Sequence, residues 1–287
     1  MSEPASLVNI GKLSEPATVL VNRISDAVGG IFKPMQVRRI AKAEADAEVI
    51  RAKADIEVSE LQRRAFYRFL DEEAKKQTNM ENITQKALPS LSTDAKPEEV
   101  ESDWLTHFFD RARLVSDEDM QLLWSKVLAG EASKCGSYSK RTVNLLSSLD
   151  KSDAEAFKSF CTFCVGVGFL WPVVFDTNHE VYTRHGVSFA GLLHLESVGL
   201  IQFDHLAGFS IKRATRKVHV EYYGTHLDLT MPKERENDLS MGHTLLTQAG
   251  SQLAPICGAE PDPAFLEYLR ERWRGYLDVV PTPPAKE

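Results

Sequence analysis

The sequence has few of the features that mark a secreted, membrane-spanning or disulfide-bonded protein. Only four of its 287 residues are cysteine, and their irregular spacing predicts reduced thiols in the cytoplasm. The first residues lack the basic start and the apolar run of a secretory signal. An uncharged apolar run at residues 159–175 is shorter than the roughly 20 residues that cross a bilayer, and Pro172 divides it. We therefore expect this run to form a buried helix that leads into a buried strand.

The sequence also lacks a recognisable catalytic or metal-binding motif. Its histidines fall at no ligand spacing such as H-E-x-x-H, and we interpret them as surface and satisfied core residues. Cys161 and Cys164 could bind a metal or cycle between redox states, but zinc needs further ligands, and the neighbouring phenylalanines favour core packing. We expect a protein that is not an enzyme, with no catalytic residue, no metal and no cofactor. A hydrolase built from scattered His and Asp residues is the weakest alternative.

The clearest pattern that is present is a helix at residues 116–131. Ser116 can cap its first free backbone N–H groups, and Asp119 lies where a capping box has its acid. Apolar residues line one helical face at spacings of three and four: Met120, Leu123, Trp124, Val127 and Leu128. We expect Trp124 to be the central anchor of the core.

Residues 1–35 contain an amphipathic segment followed by basic residues. An apolar helical face can enter a membrane interface, and cations beside it attract anionic lipid. We therefore predict that this segment binds an anionic membrane surface or a partner protein. The predicted binding residues are Leu20, Ile24, Val28, Ile31, Phe32, Lys33, Arg38 and Arg39. The alternative is that the segment packs against the body of the chain or against another copy.

Residues 36–80 are predicted to form a long alanine-rich helix. The stretch from Gln36 to Lys76 contains neither Gly nor Pro, and its alanines alternate with charged residues. Its apolar residues form a narrow stripe at spacings of three and four, which suits coiled-coil pairing of long helices better than a globular core. We therefore predict a homo-oligomer, or a complex with a partner protein, through this helix. A polar linker is predicted at residues 81–98.

The remaining sequence predicts a mainly α-helical body with a small β part, which is an α+β fold. Residues 99–184 are predicted to form a helical bundle, with one capping box at Ser152 and Glu155. Residues 185–260 follow the order of a winged helix: a helix that ends at Gly199, a strand, a hairpin that turns at Ala214–Thr215, and a closing helix. Residues 261–287 are predicted to form a C-terminal helix and a frayed tail.

The predicted hairpin carries a basic cluster at its tip, which consists of Lys212, Arg213, Arg216 and Lys217. Cations on a wing contact phosphate in many winged-helix proteins, so a nucleic-acid-binding regulator is the alternative function. Two observations oppose it. The chain has a net charge of −7, and the preceding helix presents Glu196, which would repel phosphate.

Four segments carry a resemblance to a known family. They are GKL…ISDAVGGIFKPMQVRRIAKAEADAE, SDEDMQLLWSKVLAGE, GSYSKRTVNLLSSLDKSDAEAF and LLTQAGSQLAPI. Over most of its length the chain resembles a bacterial family of unknown function catalogued as two-eight-zero-six. The central helical part is also similar, more loosely, to the abortive-infection alpha family of phage-defence proteins. These resemblances imply a bacterial, accessory-genome protein with a role in antiviral defence, and they transfer no catalytic residue.

The predicted function is that of a non-enzymatic bacterial interaction protein in a phage-defence system. It would act through oligomerisation and through binding to a membrane or a partner protein. We expect it in the cytoplasm, with peripheral contact to the inner membrane. The alternative is a winged-helix regulator that binds nucleic acid through the basic cluster.

Overall fold

The computed structural model describes residues 13–29 and 60–277 of the chain. The chain divides into two compact units between Ser147 and Ser148. The predicted bundle at residues 99–184 is therefore not one body, because this division falls inside it. The α+β fold class, mainly helical with a small β part, is confirmed. Within the two described ranges, no helix has both the length and the apolar character needed to span a membrane.

The first unit is helical in the part that the structure describes. Its helices are α1 (Glu15–Val28), α2 (Glu60–Ala87), α3 (Ser102–Ala112), α4 (Glu118–Ser133) and α5 (Lys140–Ser148). Two short 3-10 turns, Leu88–Ser90 and Pro97–Glu99, lie between α2 and α3.

Helix α4 supplies the centre of the first core. Trp124 is fully buried and packs edge to face against Phe108, with ring centroids 5.1 Å apart. This confirms the prediction that Trp124 anchors the core. The helix begins one residue later than predicted, because the side chain of Asp117 accepts the hydrogen bonds of the first turn instead of Ser116. Ser and Asp are both good N-cap residues, so the sequence alone did not distinguish them.

Helix α1 packs against α3 and the Pro97–Glu99 turn. Leu20 and Ile24 are fully buried within this unit, and the Arg23 guanidinium donates a hydrogen bond to the Val100 carbonyl. The chain's own body therefore covers this part of the amphipathic face. The assignment of Leu20 and Ile24 to a membrane- or partner-binding surface is corrected accordingly, and the alternative of packing against the body applies to both residues.

The C-terminal half of α2 packs against α4. Ile83, Thr84 and Ala87 are buried, and Lys86 donates a hydrogen bond of 2.9 Å from Nζ to the side chain of Gln121. The linker predicted at residues 81–98 is therefore helical as far as Ala87, which corrects its boundary. The polar composition of this segment concealed a narrow packing face.

The second unit combines short helices with eight strands in the described part. Its helices are α6 (Lys151–Cys161), α7 (Glu180–Thr183), α8 (Phe189–Ser197), α9 (Gln248–Leu253) and α10 (Pro263–Arg272). Its strands are β1 (Cys164–Gly166), β2 (Leu170–Pro172), β3 (Ile201–Phe203), β4 (Phe209–Ala214), β5 (Lys217–Tyr222), β6 (Thr225–Thr230), β7 (Asn237–Gly242) and β8 (Thr244–Leu246). A 3-10 turn at Ala254–Ile256 follows α9.

The strands form three small antiparallel sheets, with the orders β2-β1-β5-β6, β3-β8 and β4-β7. The predicted hairpin of β4 with β5 is wrong, because β4 pairs with β7 and β5 pairs with β6. The hairpin turn lies instead at Tyr223–Gly224, where both residues have positive φ, 45° and 80°. Such a two-residue turn has the type I′ geometry that matches the twist of paired strands. Tyr222 and Thr225 are directly opposite each other beside it.

The start and end of α6 determine how the apolar run at residues 159–175 folds. The helix begins with a capping box formed by Asp150 and Asp153, two residues before the predicted pair of Ser152 and Glu155. It ends at Cys161, and the buried strand β1 follows. The prediction of a buried helix leading into a buried strand is therefore confirmed.

Candidate interaction surface

The N-terminal half of α2 exposes five large apolar side chains. Their exposed fractions lie between 43% and 69%. We call this set the α2 patch, and it consists of Leu61, Phe66, Tyr67, Phe69 and Leu70. Single exposed apolar residues are common, whereas several of them along one short stretch of a helix indicate an interaction surface.

The patch includes an extension of the face with which α2 packs against α4. Phe69 and Ala87 are separated by 18 residues, which is about five turns of an α-helix, so they lie on the same side of α2. Ala65 and Ile83 are related in the same way. Ala87 and Ile83 are fully buried, whereas Phe69 and Ala65 are exposed. The apolar stripe thus continues beyond the part of α2 that α4 covers.

Six charged residues along and just beyond this half of α2 form three ion pairs within the helix. Arg63 pairs with Glu60, and Arg68 approaches Glu72 at 3.5 Å. Lys76 is 2.6 Å from Glu73. Pairs at three- and four-residue spacing contribute little to stability. Their effect here is to partner these charges within α2, so a second molecule need not neutralise them to reach the patch.

Of the other predicted membrane- or partner-binding residues, only Val28 lies within the described part of the chain. Val28 is half-buried near the end of α1. Ile31, Phe32, Lys33, Arg38 and Arg39 lie outside the described residues. The N-terminal part of the long helix, residues 36–59, also lies outside them, and the described α2 contains its continuation from Glu60.

The basic cluster lies opposite acidic residues that the sequence reasoning did not pair with it. Because β4 lies beside β7, Lys212 forms an ion pair with Asp238. Arg213 and Glu236 are 3.6 Å apart. The Arg216 side chain pairs with that of Glu234, and Lys217 is exposed at the start of β5. Three of the four cations therefore have carboxylate partners, which weakens the attraction of this surface for phosphate.

Three histidines contact aspartates in the second unit. His194 contacts Asp153 at 2.6 Å, and that aspartate also belongs to the capping box of α6. A hydrogen bond from His194 lowers the pKa of Asp153 most, and it outweighs the effect of burial. His219 lies 2.6 Å from Asp228 across β5 and β6, and His185 contacts the N-cap residue of α10. These contacts agree with the interpretation of the histidines as structural residues.

A cavity of about 340 Å³ in the second unit contains the two cysteines that the sequence analysis assigned to core packing. Cys161 and Cys164 line it together with Glu221 and Tyr223. Both thiols are buried, as predicted. Burial is the largest of the effects that raise the pKa of the Cys161 thiol well above its usual range, and the thiols of Cys164 and Cys257 raise it further. Sequence reasoning missed Cys257, because no local pattern connects it with the other two.

The comparisons with known proteins give one family match. A family model described as "Protein of unknown function (DUF2806)" matches residues 63–270, which is more than half of the chain. No curated protein matches the chain, and no solved structure does. The resemblance of the central helical part to the abortive-infection alpha family stays a prediction.

Proposed function

The chain belongs to the family described as protein of unknown function (DUF2806), and from this premise we propose a non-enzymatic interaction protein that assembles with further copies of itself through the α2 patch. The observation that carries the proposal is the exposure of five large apolar side chains on one half of α2. Each side chain of this kind contributes roughly 1.5 to 3 kcal/mol when it is removed from water.

The chemistry of the patch favours a second copy over a charged partner. Three ion pairs beside the patch are internal to α2, so these charges do not require an oppositely charged partner. Identical copies offer each other the same apolar side chains, so self-association can remove these side chains from water without a further kind of partner. Helix pairing of this kind also agrees with the apolar stripe that the sequence predicts before Glu60.

The proposed setting is the cytoplasm of a bacterium, where the assembly would contribute to defence against phage. The defence role rests on the family resemblances described above. Contact with the inner membrane, if it is part of that role, would use the segment from Ile31 to Arg39, because Leu20 and Ile24 are covered within the first unit.

The assembly is tested by measuring mass with light scattering during gel filtration and by sedimentation velocity. The test variant carries Phe66→Gln, Phe69→Gln and Leu70→Gln. We expect the unaltered protein to have a mass that is a multiple of 32.1 kDa and the variant to be monomeric. Loss of three side chains from each copy weakens association at least about a hundredfold, since about 1.4 kcal/mol corresponds to a factor of ten.

The matched control replaces three comparably exposed apolar side chains elsewhere: Leu114→Gln, Phe169→Gln and Leu206→Gln. It should retain the mass of the unaltered protein. An unaltered protein that stays at 32.1 kDa over about a hundredfold range of concentration would refute the proposed assembly, as would an unchanged mass in the α2 variant. The defence role is tested separately by phage plating on cells that express each protein, and equal plaque counts with and without the unaltered protein would count against it.

A further inference from the structure

The cavity in the second unit is built on one face of the sheet β2-β1-β5-β6. Gly166 lies opposite Leu170 in β2 and opposite Glu221 in β5, so these three residues share one face of the sheet. All three line the cavity, and residues 254–255 and 258–259 form another part of its wall. The volume of about 340 Å³ lies at the lower end of the range for small-molecule sites.

The side chains around the cavity are uncharged with one exception. Of the described residues that line it, Glu221 alone is charged. Cys161 and Cys164 are buried, and burial raises the pKa of the Cys161 thiol, which keeps this thiol uncharged. Glu221 is exposed. The cavity therefore has an uncharged inner part and one carboxylate at its opening.

The Glu221 carboxylate has no partner within the part of the chain that the structure describes. It forms neither an ion pair nor a hydrogen bond there, and His226, which lies directly opposite in β6, does not pair with it. In contrast, Asp228 on the neighbouring strand contacts His219 at 2.6 Å. An unpaired carboxylate beside an apolar cavity attracts a cation and repels an anion.

Tyr223 places an aromatic ring beside this carboxylate at the wall of the cavity. Its backbone has a φ of 45°, which bulky residues rarely adopt and which type I′ turns usually assign to Asn, Asp or Gly. The turn itself does not need a tyrosine, so the unfavourable backbone indicates a role for the side chain. Its hydroxyl lies 3.5 Å from the Cys161 carbonyl. The face of a tyrosine ring attracts cations.

We propose that the cavity binds a small organic monocation, an ammonium ion with one apolar substituent. The ammonium group pairs with Glu221 and contacts the Tyr223 ring, and the apolar substituent enters the cavity. An anionic ligand meets the carboxylate with no cation to compensate it. A metal ion is a poorer fit, because among the described residues no group of three His, Cys, Asp or Glu side chains surrounds one point.

The probe for this site is benzylammonium, with benzyl alcohol as its neutral counterpart and benzoate as its anionic one. Titrations of the full chain, followed by saturation-transfer difference NMR, give the dissociation constant of each compound. We expect benzylammonium to bind about fivefold more tightly than benzyl alcohol, which one partly exposed ion pair can supply, and benzoate to bind more weakly than either. The proposal fails if benzylammonium does not bind, or binds no more tightly than benzyl alcohol.

A substitution of the carboxylate tests its role. Glu221→Gln removes the charge and should lower the affinity for benzylammonium to that for benzyl alcohol. The matched control is Glu155→Gln, which changes an exposed glutamate of α6 that does not line the cavity. This control should bind benzylammonium as the unaltered protein does. An unchanged affinity in Glu221→Gln would overturn the proposal.

A second substitution tests whether the ligand lies in the cavity. A Cβ at Gly166 would meet Cβ and the carbonyl oxygen of Glu221 at 3.6 and 3.7 Å, which are ordinary contact distances, so Gly166→Val fits the strand and its methyl groups occupy part of the cavity. Binding of benzylammonium and of benzyl alcohol should both be lost, with circular dichroism used to show that the variant is folded. Undiminished binding in the folded variant would refute the proposed site. If the variant unfolds, the comparison of Glu221→Gln with its control decides.

Discussion

Replacing Asp262 with alanine should destabilise the second unit strongly. Asp262 is the N-cap residue of α10, and its carboxylate accepts a hydrogen bond of 3.0 Å from the backbone N–H of Ala264. The same carboxylate contacts His185 at 2.9 Å and the guanidinium of Arg184. Its side chain is only 10% exposed. The substitution therefore removes a helix cap and leaves two partly buried cationic or polar groups without their partner.

The expected loss is about 3 kcal/mol in the free energy of unfolding. The lost cap contributes about 1 kcal/mol. The two side-chain contacts contribute about 1 kcal/mol each, which is below the usual range for hydrogen bonds to a charged group, because Arg184 and His185 are about one-third exposed and regain water. For a unit of this size, such a loss lowers the melting temperature by roughly 6 to 12 °C.

The chain offers a matched control in an exposed pair of the same chemistry. Asp228 and His219 are 2.6 Å apart, but their side chains are 59% and 73% exposed. Asp228→Ala should cost less than about 0.5 kcal/mol, because water replaces the lost contact. Thermal unfolding by circular dichroism measures both variants, and hydrogen exchange of the peptide that spans α10 locates the effect. Equal shifts for the two variants would refute the reasoning from burial.

The same carboxylate predicts a dependence on pH. Burial raises the pKa of Asp262, but hydrogen bonds from Arg184, the Ala264 backbone and His185 outweigh it, so the pKa is lowered overall. A lowered pKa means that the carboxylate stabilises the fold above the unfolded value of about 3.9 and loses this effect as the pH falls through the folded value. The stability difference between the unaltered protein and Asp262→Asn should therefore narrow below about pH 4. A difference that is constant from neutral pH to acid would contradict this.

Two further predictions concern the first core and the basic cluster. Gly130→Ala should destabilise the protein by about 1 to 2 kcal/mol in a denaturation assay, although alanine has the better helix propensity. The reason is that the added Cβ would lie 2.6 Å from Cε2 of Tyr138. Gly275→Ala is the control in the same assay, because a Cβ at that position meets nothing within 4 Å. Replacing all four residues of the basic cluster with alanine should leave retention on a DNA column unchanged, because three of the cations have carboxylate partners; a salt-sensitive retention that this change abolishes would restore the nucleic-acid hypothesis.

Local patterns in the sequence predicted the helices better than their exact ends. The three-and-four spacing around Trp124 identified α4 and its buried face, because each turn of a helix repeats the same contrast of polar and apolar residues. The caps differed by one or two residues. Asp117 and Asp150 cap α4 and α6 in place of Ser116 and Ser152, since several adjacent residues had suitable side chains and the backbone selects among them.

Strand pairing was harder to predict from the sequence, because the alternation of polar and apolar residues identifies a strand but not the strand that pairs with it. The segment between β4 and β5 had the expected polar residues for a turn, yet the tight turn occurs at Tyr223–Gly224. That glycine, placed between two alternating segments, was the signal that could have found it. The acidic partners of the basic cluster follow from the long-range pairing of β4 with β7, and the sequence contains no local trace of them.

The unbroken course of α2 from Glu60 to Ala87 has a mechanical consequence. Between Phe69 and Ala87 the helix rises about 27 Å, and each residue turns it by about 100°. A molecule bound at the α2 patch would therefore be held at a set distance and a set angle from the place where α2 meets α4. The number of residues between the two sites determines this angle. One added residue would rotate the bound molecule about the helix axis by about 100°, whereas seven added residues would return it to nearly its original orientation.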